Sequence, residues 1–398
     1  MYKNKVNKYS NRDRILECIY RNPRISRKEI SDLTGITPAT VTTTTAAMVK
    51  EGLIAEAGLV EEDRGTIGRS RIALDICPDY GCVIGVEFTI AAITVCATDI
   101  HGGILYTDQI SYTPQVDENT TALILQQIQK CVAALEMPWA KILGIGIGVP
   151  GHIDEENRHL ISTNQYWTSF DGQTIARAFP CPVVFENNVR CMAVAQYLHH
   201  PQNTPSSFAL FHVGRGMFCA NVVDDELYIG TTYGSGEIAH TIAIPDGRRC
   251  ECGKRGCLQT VATETALLQN AAMLYNLRQD SLLHNFAPKA EDLTIDHIAA
   301  VYAMGGIEVR RMVHQALQYL VMSALDIAVL MNPEKLLIHG RLFNHPMIQE
   351  DFREMILDKF GFTGHNYRLG NVDFIPCQET DGAIGAAALA ILKCVIHA

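Results

Sequence analysis

One histidine and three cysteines fall within "HTIAIPDGRRCECGKRGC", His240 to Cys257. Cys250, Cys252 and Cys257 follow a C-x-C-x4-C spacing, with His240 ten residues upstream of the first. Four nitrogen and sulfur donors are the number a closed tetrahedral zinc site requires, and three thiolates leave little room for a catalytic water. Buried free cysteines acting as small hydrophobes are the alternative. Against it, Gly247, Gly253, Gly256 and the flanking Arg and Lys residues describe a tight polar loop. The pattern predicts a structural Zn2+ held by His240, Cys250, Cys252 and Cys257.

A second chemistry, contact with a polyanion, is suggested near the start. Residues 1–50 carry ten Lys/Arg against four Asp/Glu, although the whole chain has a net charge of −10. Such asymmetry fits a basic DNA-binding head on an acidic body, the alternative being a solvated basic tail. The elements that would position this head are legible. Ser10 and Asn11 are suited to cap a helix containing Ile15, Leu16 and Ile19, which stops before Pro23. Ser26 caps a second helix, from about Arg27 to Leu33. Gly35 supplies a turn, Thr37 caps, and Pro38 opens a third helix reaching Lys50. Three short helices with a tight turn before the last make a helix-turn-helix.

Within the third helix "VTTTT" favours strand by propensity, but the caps and the apolar face of Ile36, Val41 and Met48 favour helix. Thr37, Ala39, Thr40, Thr43 and Thr44 then face outward, where hydroxyls bond phosphates or base edges and methyls touch thymine. "LIAE" and "RIALDI" read as two strands of a wing whose tip offers Arg64, Arg69 and Arg71, suited to a narrow minor groove.

The remaining 322 or so residues must hold the cysteine loop, and they are enough for a core of their own. Thirteen cysteines could suggest disulfides, but the chain is long and "MYKNKVNKYSNRDR" lacks the apolar core of a secretory signal, so a reducing cytoplasm is expected. "AIGAAALAILKCVI" is too short to span a bilayer, so no membrane insertion is expected. From about residue 77 the pattern turns to strands punctuated by glycine. "VIGVEFTIAAITVCATDIHGGILY" and "ALFHVGRGMFCANVVDDELYIG" repeat one three-stranded plan, each followed by alternating helix and strand, as two duplicated α/β lobes would be. A cleft between lobes is the natural ligand site. The expected division is 1–76 for the head and 77–398 for the body, with lobe one about 77–194 plus 381–398 and lobe two about 195–380.

"GVPGHID", "PVVFEN", "GEIAH", "CECGKRGCLQT" and "DGAIGAAALA" stand in this order over most of the chain. With these motifs the sequence resembles the winged-helix repressors of the ROK family (repressor, open reading frame, kinase). The resemblance implies an α/β protein: an N-terminal winged helix-turn-helix, then a two-lobed actin-like, ribonuclease-H-like ROK domain. It further implies a zinc-stiffened sugar pocket and a homodimer or homotetramer.

Family kinases need D-x-G-G-T after the first strand for nucleotide phosphates, where this chain has "VEFTIAA". Their second phosphate loop, G-T-G, is here Gly214-Arg215-Gly216, and their adenosine-side G-G is His339-Gly340. Where they read E-N-D-A-N this chain reads Glu186-Asn187-Asn188-Val189-Arg190. An amide at Asn188 has no titratable carboxylate to serve as general base, yet it still donates and accepts hydrogen bonds.

Carried over position by position, the sugar contacts are Asn164, Asn187, Asn188, Glu237, His240 and Gln259; the last replaces the family's usual Glu. For Asn187 and Asn188 an ordinary strand-to-helix turn is the alternative. The expectation is a cytoplasmic, non-catalytic regulator, a repressor of sugar-utilisation genes, that binds operator DNA and responds to a sugar or sugar phosphate. The alternatives are a sugar kinase with a DNA-binding head, and a regulator governed by a protein partner without sugar.

Overall fold

The computed structural model describes residues 8–59, 71–113, 119–154, 158–161, 167–232, 234–359 and 371–398. The head begins with α1 (Asn11–Arg21), capped by Ser10, whose hydroxyl accepts the Asp13 amide while the Asp13 carboxylate takes the Ser10 amide. β1 (Ile25–Ser26) leads into α2 (Arg27–Thr34), capped by Ser26 and closed by Gly35 at φ 69°. α3 (Pro38–Glu51) follows behind Thr37 and ends at Gly52, φ 77°. β2 (Ile54–Leu59) and β3 (Ile72–Ile76) pair antiparallel as the wing's base, and β1 pairs with β3 on its other side. This third strand and the extension of β2 past Glu56 go beyond what the sequence pattern indicates. The extension is accommodated by a register shift between Glu56 and Leu59, which a run of polar and small residues does not advertise.

The threonine run is helical, and the hydrogen bonds show how. Thr42, Thr43 and Thr45 donate their hydroxyls back to the carbonyls of Pro38, Ala39 and Val41 at 2.8–3.0 Å. Back-bonding satisfies each hydroxyl within the helix, and Ile36, Val41 and Met48 are buried beneath it.

The body continues with β4 (Cys82–Phe88), β5 (Ala92–Asp99), β6 (Ile104–Ser111), α4 (Thr120–Leu135), β7 (Ile142–Val149), β8 (His152–Ile153), β9 (Leu160–Ile161), α5 (Gly172–Arg177), β10 (Val183–Asn187) and α6 (Asn188–His199). Then come β11 (Phe208–Val213), β12 (Met217–Val223), β13 (Glu226–Tyr228), α7 (Gln259–Ala262), α8 (Glu264–Leu277), α9 (Ile295–Ala303), α10 (Ile307–Met331), β14 (Lys335–His339), α11 (Pro346–Lys359), β15 (Val372–Ile375) and α12 (Asp381–Ile391). The sequence suggests one helix over Gln259 to Tyr275. Two are found, because Thr263 turns extended (ψ 161°) and its side chain accepts the Ala266 amide to cap α8.

Two compact units result: residues 1–203 with 380–398, and residues 204–379. The first holds a five-stranded sheet in the order β10-β7-β4-β5-β6, the second one in the order β15-β14-β11-β12-β13. In each, an antiparallel meander is extended by two parallel strands, so the two sheets share one topology.

In the first unit α12 lies against β4 and β7 with almost no side-chain layer between them. A Cβ at Gly85 would stand 2.0 Å from the Ala383 carbonyl oxygen, and one at Gly146 1.8 Å from that of Ala386. In the second, α10 is long and apolar enough to cross a membrane by length and composition. Its inner face of Val309, Val313, Leu317, Leu320 and Val321 is built into the core with Leu336, Ile338 and Phe352.

Candidate functional site

In the second unit the cysteine loop is pinned by its own backbone. Ala243 and Ile244 donate to the Gly256 carbonyl, Cys250 to Lys254, Gly256 to Arg248, and Leu258 to Thr241. Gly256 adopts φ 75° and passes so close to Ile244 that a Cβ would lie 1.6 Å from its carbonyl oxygen, so the turn admits only glycine. These constraints bring one donor atom from each of His240, Cys250, Cys252 and Cys257 within 4.8 Å of one another. His240 Nδ1 lies 3.6 Å from the Cys250 sulfur, and the sulfurs of Cys252 and Cys257 are 3.6 Å apart. Burial and the neighbouring sulfurs push the Cys257 thiol up to about 12. Thiolates this close are mutually repulsive unless a cation sits among them, so the donor set fits a soft or borderline metal ion.

The other face of the His240 ring looks at a carboxylate: Nε2 is 3.8 Å from Glu237 Oε2. A ligating histidine is commonly oriented in this way, by a carboxylate on its second nitrogen. Gln259, at the start of α7, gives its amide to Glu251 at 2.6 Å. Glu237, His240 and Gln259 are all partly exposed around the loop.

The first unit holds the asparagine pair. Asn187 is 3% exposed and caps α6: its Oδ1 accepts the amides of Val189 and Arg190, and its Nδ2 donates to the Gly151 carbonyl at 3.0 Å. Asn188 accepts the Val189 amide and donates through Nδ2 to Glu87 Oε1 at 3.1 Å. The pair therefore does form the strand-to-helix turn, and Asn188 additionally reaches across to β4. Asn164 lies outside the described residues.

Glu87, which the sequence pattern presents only as a broken phosphate motif, is a buried carboxyl at the centre of this cluster. Burial raises it to about 7, the Asn188 hydrogen bond opposes that rise, and the Asp381 carboxylate adds to it. It rests on the first turn of α12, where a Cβ at Gly382 would be 2.0 Å from the Glu87 Cδ. Beside it Arg190, 2% exposed, is paired with Glu186 at 3.1 Å. Neither acid–base partner could be assigned from motif spacing. Glu186 and Arg190 are four residues apart across a strand-to-helix junction, and Glu87 lies a hundred residues from Asn188.

In the second unit, the strand ends that precede Gly214 and Gly340 carry His212 and His339, with Nδ1 atoms 2.8 Å apart. Burial, and then His339, lower His212 to about 3. An open recess of about 620 Å³ between α10 and α11, lined by Arg310, His314 and Asp351 among others, contains none of the sequence candidates.

On the head, Thr37, Ala39 and Thr43 are exposed on the outer face of α3, with Thr40 and Thr44 half-buried beside them. Thr37 and Thr40 share a hydroxyl hydrogen bond of 2.9 Å. Because the Thr43 hydroxyl proton is given to Ala39, this residue presents a methyl and oxygen lone pairs outward. Arg71 is partly exposed before β3, while Arg64 and Arg69 lie outside the described residues.

Residues 11–55 match the winged helix-turn-helix DNA-binding family, and residues 83–393 match the ROK family. Over 381 residues the chain is 26% identical to the xylose repressor of Caldicellulosiruptor bescii, covering 95% of this chain and 94% of that one. It is 23% identical to the N-acetylglucosamine repressor of Escherichia coli O157:H7 over 320 residues, 80% of this chain and 77% of the other. Among solved structures it is similar to a ROK family transcriptional regulator described as a homologue of the E. coli MLC protein, with TM-score 0.75, 22% identity and 97% of each chain covered. A ROK family glucokinase from Streptomyces griseus, in complex with glucose and AMPPNP, aligns to 78% of this chain and 99% of its own, with TM-score 0.64 and 21% identity. With the profile match running through both sheets, the cysteine loop and α12, the chain belongs to the ROK family.

Proposed function

We propose that the chain is a cytoplasmic transcriptional regulator, a repressor of sugar-utilisation genes that binds operator DNA and responds to a sugar or sugar phosphate. The observation that carries this reading is a winged helix-turn-helix joined to a ROK domain in the same order and over nearly the same length as the xylose repressors. Residues 1–76 act as the DNA-binding domain. Thr37, Ala39, Thr40, Thr43 and Thr44 contact the major groove, and Arg64, Arg69 and Arg71 of the wing contact the backbone and minor groove. A homodimer or homotetramer presents two heads to a palindromic site.

Residues 77–398 form the sensor. Asn164, Asn187, Asn188, Glu237, His240 and Gln259 are the proposed hydrogen-bond partners of the effector. Zn2+ on His240, Cys250, Cys252 and Cys257 would supply a rigid cross-link that fixes the loop carrying Glu237 and Gln259. The chain is not a kinase on this reading. Asn188 cannot take a proton from a sugar hydroxyl, and its amide is engaged with a buried carboxyl that a bound nucleotide phosphate would repel. An effector that binds one conformation better shifts the DNA-competent population.

Fluorescence anisotropy of the full chain with DNA from upstream of its own gene tests this. Binding is expected to be sequence-selective and to weaken with salt. Affinity no greater than for scrambled DNA, or sugar-dependent ATP turnover, would overturn it.

A further inference from the structure

α6 and α12 both begin at the Glu87–Asn188 cluster. α6 starts at Asn188 itself, whose amide holds Glu87. α12 starts at Asp381, and its second residue, Gly382, lies under the Glu87 carboxyl. The two helices are locked side by side: a Cβ at Gly385 would be 2.6 Å from the Met192 amide nitrogen and 2.7 Å from the Cys191 carbonyl carbon. With no side chain to act as a cushion, a shift of one helix must carry the other.

Both helices also end on the same residue of the head. Tyr197, in the last turn of α6, donates its hydroxyl to Glu17 Oε1. His397, at the close of the π-turn that follows α12, sets Nε2 3.0 Å from Glu17 Oε2. Glu17 is on α1, and the assembly around it is tight: side chains of Glu17 and His397 are 17% and 8% exposed. Tyr9 stacks on the His397 ring at 3.9 Å, Arg21 lies 3.9 Å over the Tyr197 ring, and Tyr20 meets His199, the last residue of α6, at 3.3 Å. Burial pushes the Glu17 carboxyl upward, but hydrogen bonds from His397 and Tyr197 outweigh it and keep the group below its ordinary value, hence ionised. One carboxylate in the head thus ties off the far ends of two helices whose near ends share a second carboxyl.

We propose that Glu17 is a positioning residue that clasps the head to the C-terminal ends of α6 and α12, so that a change at Glu87–Asn188 reaches α1 through these two helices. This rests on the regulator reading for its purpose, because a sensor needs a route from pocket to head. The route itself is a mechanical property of the free protein. Two rigid rods fixed at one end and bridged at the other transmit a displacement that a flexible tether would absorb.

Hydrogen–deuterium exchange on the full chain, with neither sugar nor DNA added, tests the clasp. Asn188→Asp disturbs the near end by placing a carboxylate beside Glu87. Exchange in α1 at residues 15–21 is then expected to quicken by about fivefold or more. Glu17→Gln alone should quicken the same amides, and adding Asn188→Asp to it should change α1 no further. Arg12→Gln, which removes an exposed ion pair with Glu51 elsewhere on α1, should leave the response to Asn188→Asp intact. Where the aspartate variant gives too little folded protein, Asn188→Ala reads the near end and Tyr197→Phe cuts the far end without altering charge. Unchanged α1 exchange in the Asn188 variants would overturn the proposal. So would an equal response with and without Glu17. Loss of DNA or sugar binding bears on the regulator reading alone, since neither ligand enters this measurement.

Discussion

Asn188 holds the buried carboxyl of Glu87 at 3.1 Å, and that carboxyl in turn sits on the first turn of α12. The Asn188 amide therefore supports an internal acid. The acid is raised to about 7, chiefly by burial. Its folded pKa lies above the unfolded one, so the stability it contributes is full below about 4.5 and is lost as pH rises through about 7. At one pKa unit per 1.36 kcal/mol the loss is on the order of 3 kcal/mol. Glu87→Gln should remove this slope and raise the melting temperature above that of the parent at pH 8 while changing it little at pH 5. Thermal melts across that range check it, and parallel pH profiles for both proteins would contradict it.

Cys250→Ser and Cys257→Ser are each expected to abolish about one bound Zn2+ per chain, measured by mass spectrometry of the metal after gel filtration. Melting temperature should fall by several degrees in both, and a chelator should affect the parent but not the variants. Glu237→Gln should retain the metal, because Glu237 lies 3.8 Å from His240 Nε2 and is not among the four clustered donors.

On the head, Thr43→Val keeps the β-branched shape and a methyl but loses the oxygen. It should weaken operator binding by about 1 kcal/mol through base-edge contacts, with the salt dependence unchanged. Arg71→Ala should instead weaken all sequences alike and reduce the salt slope by about one. Anisotropy titrations at several salt concentrations separate the two.

Gly146→Ala adds a methyl that would stand 1.8 Å from the Ala386 carbonyl oxygen. Neither the strand nor the helix backbone can yield by that distance, so about 3 kcal/mol or more of stability should be lost in the unit that contains the head. A urea titration followed by near-ultraviolet circular dichroism reads it. Wild-type resistance would mean that α12 and β7 separate easily.

Much of this fold was legible because local signals agreed with one another. Ser10, Ser26, Thr37, Gly35 and Pro38 announce the three head helices, and the two meanders announce the sheets. The threonine run was legible only through its flanking caps, since its own propensity points the wrong way and the local back-bonds to the i−4 carbonyls do not reverse that preference. That His240 and the three cysteines gather into a cluster that could hold a metal ion was legible, as the four donors lie within eighteen residues and one loop closes on itself. Glu87 was not, because its role comes from Asn188 a hundred residues away and from a helix nearly three hundred residues away. Glu17, Tyr197 and His397 carried no signal either. A glutamate in an amphipathic helix reads as solvated until the ends of two remote helices are seen to close over it.

The placement of α12 has a consequence for biosynthesis. The second unit, residues 204–379, is inserted into the first, whose central helix is supplied only by residues 380–398. A ribosome therefore releases the complete second unit while the sheet carrying the head still lacks the helix that covers β4 and β7. Domains tend to fold as their sequence emerges, so here the order is inverted: the N-terminal unit is finished last. A chain cut short before α12 would carry an intact head on an uncovered sheet, prone to aggregation and to degradation before it could occupy an operator unregulated.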